Sequence, residues 1–153
     1  MTESQAGRLE NKLAWAAQLH EIGAQISHSD YHKHGAYILG NSDAPGFSLS
    51  ELERLGQLVL GHRGKLAKLV IDFNDVTFVQ QLLALRLAVV LCHARRDPDL
   101  KDLVVACNLN SPRRVSVSLR AGWSEAWPQS AHLLREEANA WQRTPWSLQI
   151  LQS

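Results

Sequence analysis

Four of the chain's seven histidines fall inside one stretch, "HEIGAQISHSDYHKHGAYIL" at 20–39: His20, His28, His32 and His34. Imidazole ligates metals, moves protons near neutral pH and, when protonated, donates to phosphate. Each use needs different company. His20 is followed by Glu21, which makes a ligand-type pair, but one adjacent pair does not complete a metal site. His20 therefore reads as a packed helix residue, with His20 and Glu21 as weak metal candidates only. If 28–34 were helical throughout, His28 and His32 would share a face at i,i+4 and could grip zinc. Ser27, Ser29 and Gly35 favour a loop over the first part of that stretch. Two readings are left for His28, His32, Lys33 and His34. They contact a phosphate chain, since imidazolium and ammonium offer donors only. Alternatively they brace a loop by bonding backbone groups.

A second chemical feature is "GHRGK" at 61–65, followed by Lys68. His62, Arg63, Lys65 and Lys68 form the densest basic cluster of the chain. An arginine fork matches phosphate geometry and lysines add local positive field, so the cluster suits an extended polyanion. It equally suits a solvated helix end, where cations complement the C-terminal dipole. The stretch lacks G-x-x-x-x-G-K-[S/T] and is no phosphate loop of that kind. Nucleophilic chemistry finds no support, because G-x-S-x-G is absent and Cys92 sits in an apolar run without an activating neighbour. We assign no catalytic residue. Arg113, Arg114 and Arg120 read as a solvated face.

Helices must position these side chains. Leu9, Leu13, Ala16, Ala17 and His20 recur at helical spacing up to Gly23, which predicts a helix of about four turns. Residues 31–41 suit a second helix, and "NSDAPGF" at 41–47 is a turn. "SLSE" at 48–51 matches a capping box that starts a third helix, with Leu52, Leu55, Leu58 and Val59 along one stripe. "FVQQLLALRLAVVLC" at 78–92 predicts a long buried helix, capped by Thr77 and running to about His93. Gln80, Gln81 and Arg86 inside it argue against a membrane span. After "RRDPD" at 95–99 the period changes. "LVVACNL" (103–109) and "RVSVSL" (114–119) alternate as strands joined across "NSPR". "SAHLLREEANAW" (130–141) is helical with Ser130 as cap, and "WSLQI" (146–150) alternates again. The fold class is mainly α: a helical domain over 1–98, then a small α+β unit, ββαβ, over 99–153.

Composition sets the limits. The chain has 153 residues, a hydrophobic fraction of 45% and a net charge of +1. That permits a real core and gives no global pull toward nucleic acid or membrane, so any anion site is local. Cys92 and Cys107, without a C-x-x-C, read as small buried hydrophobes in a reducing compartment. No signal peptide precedes the first charged residues, and the expected location is cytoplasmic. Trp123, Trp127, Trp141 and Trp146 read as aromatic packing in the tail.

Several blocks, in order and at their spacing, carry a resemblance: "WAAQLHEIG", "ISHSDYHKHGAYIL", "NSDAPGFS", "LGHRGKL", "LRLAVVL" and "LRAGWSEAWPQSAHLLREEANAW". From about residue 9 the chain resembles the C-terminal half of the bacterial exopolyphosphatase / guanosine pentaphosphate phosphohydrolase (Ppx/GppA) family. The resemblance implies that an N-terminal half with an actin-like ATPase fold belongs to the parent enzyme. That half would carry the phosphate loops, the Mg²⁺ site and the acidic general base. No cofactor is expected in this chain. The piece is then either an artificial excision or a natural split or truncated gene product, lacking an upstream helix and self-associating through the exposed face. The family's helical part is similar to the HD metal-dependent phosphohydrolase fold. Set on that pattern, the His-Asp pair corresponds to His20-Glu21 and the late Asp to Val89, so the HD metal chemistry is expected to be lost.

These observations give one expectation and two alternatives. The chain is expected to be the C-terminal module of an exopolyphosphatase-like enzyme that releases orthophosphate from polyphosphate or guanosine pentaphosphate. It would hold polyanion through His28, His32, Lys33, His34, His62, Arg63, Lys65 and Lys68, and form a homodimer, with no catalysis alone. Alternatively it is a stand-alone degenerate HD-type phosphohydrolase, or a pure association domain. Neither nucleic acid nor membrane is an expected partner.

Overall fold

A computed structural model describes residues 3–97, 99–110 and 113–152. The chain divides into two compact units. The first comprises the residues up to Gly64 together with Gln80–Arg86, and the second comprises Lys65–Val79 with the residues from Leu87 onward. The expected boundary at residue 98 falls on a position outside the described residues, as do Ser111 and Pro112 of the "NSPR" turn.

In the first unit, α1 (Glu3–Leu19) begins well upstream of the apolar stripe that predicts it. Its early residues lack proline and include the helix formers Glu3, Gln5, Ala6 and Arg8, whose propensity carries the helix beyond its buried face despite Ser4 and Gly7. A 3₁₀ turn at Ile22–Gln25 then leads toward α2 (Tyr31–Gly40). Gly23 is fixed by close approach: a Cβ there would lie 1.9 Å from the Tyr31 carbonyl oxygen and 2.4 Å from the Gly35 nitrogen. α3 (Leu49–Gly61) starts on the expected capping box, with the Ser48 side chain accepting from Glu51 N–H and the Glu51 carboxylate accepting from Ser48 N–H. The core of this unit is built from Ala16, Leu39, Leu52, Leu55, Leu58 and Val59, joined by Leu82, Leu83 and Leu85.

α4 (Val76–Leu91) supplies residues to both units. Asp75 caps it, accepting from Phe78 N–H at 2.9 Å, and Thr77 does not. A carboxylate at this position adds its charge to the cap bond, which favours Asp75 over a hydroxyl two residues later. By length and composition, Val76–Ala94 could cross a membrane. Phe78, Val79, Leu82, Leu83, Leu85 and Leu87 are all buried in protein, as expected for a core helix.

The second unit holds a three-stranded sheet in the order β1 (Leu103–Asn108), β2 (Arg113–Leu119), β3 (Trp146–Gln152). β1 pairs antiparallel to β2, with Val105 opposite Val117, and β2 pairs parallel to β3, with Val117 opposite Ile150. A parallel pair needs a crossover, supplied here by α5 (Trp123–Ala126) and α6 (Pro128–Trp141). The expected ββαβ unit is thus present. Val115, Val117 and Leu119 alternate inward and share a core with Leu134, Trp141, Trp146 and Leu148.

Three local expectations are corrected in this unit. Ser130 does not cap α6, which starts two residues earlier with Pro128 at its first turn, where a fixed φ suits helix entry. Arg113 is not part of a solvated face: it donates to the Phe73 carbonyl at 2.8 Å and lies over the Trp146 ring. Arg120 is exposed and pairs with Asp102. The cysteines are exposed, because Cys107 lies on the sheet's edge strand and Cys92 in the 3₁₀ turn after α4.

Candidate functional site

The residues singled out by their chemistry separate into three groups. His20, His32, His62 and Arg63 come together with Tyr31 in the first unit. His28, Lys33 and His34 lie beside them along the chain. Lys65 and Lys68 belong to the second unit, where they flank the exposed side of a 3₁₀ turn at Leu66–Lys68.

His62 is the centre of the first group. It stands at the C-cap of α3 and is only 2% exposed. Its Nδ1 lies at hydrogen-bond distance from the Val59 carbonyl, 2.5 Å away, so Nδ1 carries the proton and Nε2 carries the lone pair. Nε2 lies 3.4 Å from the Tyr31 hydroxyl, which donates to it. Burial pushes the His62 pKa down to about 4, against the raising effect of the Val59 contact, and the charges of His20, His32 and Arg63 lower it further. The ring is therefore neutral at neutral pH. His20 meets it edge-on at 5.0 Å, and Tyr31 is tilted against it at 5.5 Å.

Around this neutral centre sits a permanent cation. Arg63 is exposed and places its guanidinium 4.7 Å from the centre of the Tyr31 ring. His32 is half-buried, with its Nδ1 shielded from solvent and without a hydrogen-bond partner. Burial and then the Arg63 charge lower its pKa.

The loop that carries Arg63 is clamped from beneath. Arg86, itself 4% exposed, donates to the Gly61 carbonyl at 2.7 Å and to the Gly64 carbonyl at 3.1 Å. Gly64 takes a left-handed φ of 82°, which other residues rarely adopt. Carbonyls at the end of a helix lack intrahelical donors, and a buried guanidinium supplies them. Sequence reasoning missed this role, treating Arg86 only as an interruption of an apolar run. The signal was available: Arg86 is the one charged residue in Val76–Leu91, and a buried charge needs partners.

Other candidates are arranged differently. Helical backbone begins only at Tyr31, and Asp30 has a left-handed φ of 55°, so His28 and His32 do not share a helix face. His28 is exposed on the preceding bend. Lys33 pairs with Asp30 at 3.2 Å, and the hydrogen bond from Lys33 lowers the Asp30 pKa. His34 is half-buried in the first turn of α2. His20 turns Nδ1 to the Ala17 carbonyl at 2.6 Å, and its Nε2 stands 4.0 Å from the exposed Glu21. Among the described residues no group of three or more His, Cys, Asp or Glu side chains is placed to hold a metal ion. This arrangement can attract an anion at Arg63. It does not assemble a nucleophile with a base and an orienting partner.

A family model described as Ppx/GppA phosphatase, domain III, matches residues 1–138. A protein named guanosine-5'-triphosphate,3'-diphosphate pyrophosphatase from Pseudoalteromonas translucida is 34% identical over 139 residues, covering 89% of this chain and 27% of the relative. Proteins of the same name from Aliivibrio fischeri strain MJ11 and Vibrio atlanticus are each 33% identical, over 98% of this chain and 29% of their own length. The chain thus spans little more than a quarter of the relatives it matches.

Proposed function

The chain belongs to the Ppx/GppA phosphatase family through its domain III, and from that premise we propose that it serves as the polyanion-holding C-terminal module of an exopolyphosphatase-like phosphohydrolase. The parent enzyme would release orthophosphate from polyphosphate or from guanosine pentaphosphate. The relatives' name speaks for the nucleotide. Bond cleavage, Mg²⁺ and the general base belong in this reading to a partner half with an actin-like ATPase fold. Among the described residues no group of three or more His, Cys, Asp or Glu is placed to hold a metal ion, and His20 turns Nδ1 to a backbone carbonyl.

One observation carries the proposal: Arg63 is an exposed guanidinium on a loop that a second, buried arginine holds in place. A preorganised cation loses less side-chain entropy when it meets phosphate, and binding remote phosphates raises affinity for the whole chain. His62 contributes by holding Tyr31 rather than by touching ligand, since both ring nitrogens face protein atoms. His32 adds a half-buried ring whose pKa the Arg63 charge helps to lower. Lys33 contributes weakly while Asp30 neutralises it. His28, His34, Lys65 and Lys68 lend positive or potentially positive surface. We place the module in the cytoplasm and give it a second role in self-association as a homodimer.

The test is binding of inorganic polyphosphate to the purified chain across a salt series. Affinity should fall as salt rises, because phosphate contacts release counterions. The double variant Arg63→Ala with Lys65→Ala should weaken binding and flatten the salt slope. Unchanged binding in that variant removes the basic loop from the reading. The isolated chain with Mg²⁺ should release no orthophosphate, and turnover that copurifies with the chain would overturn its role as a non-catalytic module.

A further inference from the structure

β1 is an edge strand that carries none of the devices that normally keep an edge from pairing. Among the described residues its only sheet neighbour is β2. From Leu103 through Asn110 there is no charged residue and no proline. The pairing with β2 runs residue for residue from Leu103 to Asn108, without a bulge. Its side chains are also uncovered on both faces. Val105 shares the inner face with its partner Val117, yet Val117 is 1% exposed and Val105 is 56% exposed. On the outer face Val104 is 61% exposed beside Ser118. The protecting layer therefore stops over β2. The opposite edge is mixed: β3 shows Gln149, Leu151 and Gln152 at its exposed positions.

This pattern restricts what can cover β1. A helix or loop laid on the inner face would cover Val105 and leave Val104 and the backbone edge in water. Another strand continuing the sheet satisfies the backbone and flanks both valines at once. The absence of charge then selects among strands. β1 has nothing with which to attract a charged peptide, and nothing with which to repel its own copy. We propose that β1 pairs antiparallel with β1 of a second copy across a two-fold axis, joining two three-stranded sheets into one. This deepens the self-association part of the proposed function and rests on it, while polyanion binding is independent of it.

The mass of the full chain, measured by light scattering from about 1 to about 200 µM, reads the association directly. Dimer mass is expected in the upper part of that range. Val105→Lys and Val104→Lys, made separately, place a lysine on one face and then the other of the joined strands, where it and its symmetry mate, opposite or diagonal, repel. Each is expected to weaken dimerisation about tenfold or more while circular dichroism and the melting midpoint of the monomer stay unchanged. Amide exchange in 103–108 should slow with rising concentration in the wild type and not in the variants. Dimer mass that survives both lysines overturns the β1 pairing and leaves self-association standing. Monomer mass throughout the range overturns both.

Discussion

The two units solve the same packing problem with different materials. The first buries polar groups and ties each to a backbone carbonyl. Gln81 donates to Leu9, Arg86 to Gly61 and Gly64, and His62 to Val59. The second unit fills its interior mainly with indoles and aliphatics; Arg113 and Trp146 both donate to the Phe73 carbonyl, and the Trp141 indole donates to the buried Glu137 carboxylate. The contrast shows what each interior is for. Bulk fixes a sheet against a helix, whereas directed hydrogen bonds fix the course of a loop. The comparison is broken most directly in the second unit. Trp146→Ala removes a 1%-exposed indole together with its bond to Phe73, and should cost about 4 kcal/mol in denaturant unfolding. A loss below about 1 kcal/mol would mean that bulk is not what holds this unit.

Arg86→Met makes the reciprocal change in the first unit. Methionine keeps much of the volume and leaves the Gly61 and Gly64 carbonyls without the guanidinium. We expect a loss of about 3 kcal/mol, set by buried acceptors left without donors rather than by a cavity. Faster amide exchange at residues 61–65 and weaker polyphosphate binding should accompany it. If stability falls while exchange in the loop stays at the wild-type rate, Arg86 supports the core and does not direct the loop.

Acid should separate the two interiors next. His62 folds with its pKa pushed down to about 4, from an ordinary value of 6.5, and burial lowers His32 in the same direction. The unfolded chain therefore binds more protons between those values. Stability is full above pH 6.5 and declines as pH falls toward 4, by up to about 3 kcal/mol for His62. Glu51, whose carboxyl is held low by its bonds to Ser48, begins to add its own loss only below its ordinary 4.5. The informative window is thus pH 6.5 to 4.5. His62→Gln should flatten the stability profile there, and an unaltered slope would show that His62 is not the responsible group.

The sequence was legible where pattern and local chemistry agree. The "SLSE" box, the alternation in "RVSVSL" and the continuous apolar circumference of α4 all correspond to the observed elements. It was less legible where neighbours compete. Thr77 and Asp75 both suit a helix start, and the carboxylate prevails. Ser130 and Pro128 both suit the start of α6, and the proline prevails. The candidate site was visible as a list of basic and imidazole side chains but not as an arrangement. Tyr31 beneath Arg63 and Arg86 beneath the loop arise from tertiary contacts between residues 22 to 32 positions apart in the chain. The burial of His62 and the exposure of Cys107 depend in the same way on what lies beside each element, which periodicity does not encode.

The smallest expected effect compares how the two units begin their helices. α3 starts on side-chain bonds, because Ser48 and Glu51 satisfy each other's backbone N–H groups. α6 starts on Pro128 and has no side-chain cap bond from its N-cap residue. Ser48→Ala should therefore cost about 1 kcal/mol by removing a native hydrogen bond. Pro128→Ala should cost about 0.5 kcal/mol by freeing the unfolded chain. The two mechanisms are separable by titration. The Ser48 backbone N–H is the first cause of the low Glu51 pKa and the Ser48 hydroxyl the second, so Ser48→Ala, which removes only the hydroxyl, should raise the Glu51 midpoint measured by carboxyl NMR part of the way, whereas Pro128→Ala should leave it unmoved. The residue-48 backbone N–H and Lys12, 3.5 Å from Glu51, survive both changes and would keep part of the depression. A Glu51 midpoint unaffected by Ser48→Ala would assign the depression to the residue-48 backbone N–H and Lys12, and leave the hydroxyl without a part in it.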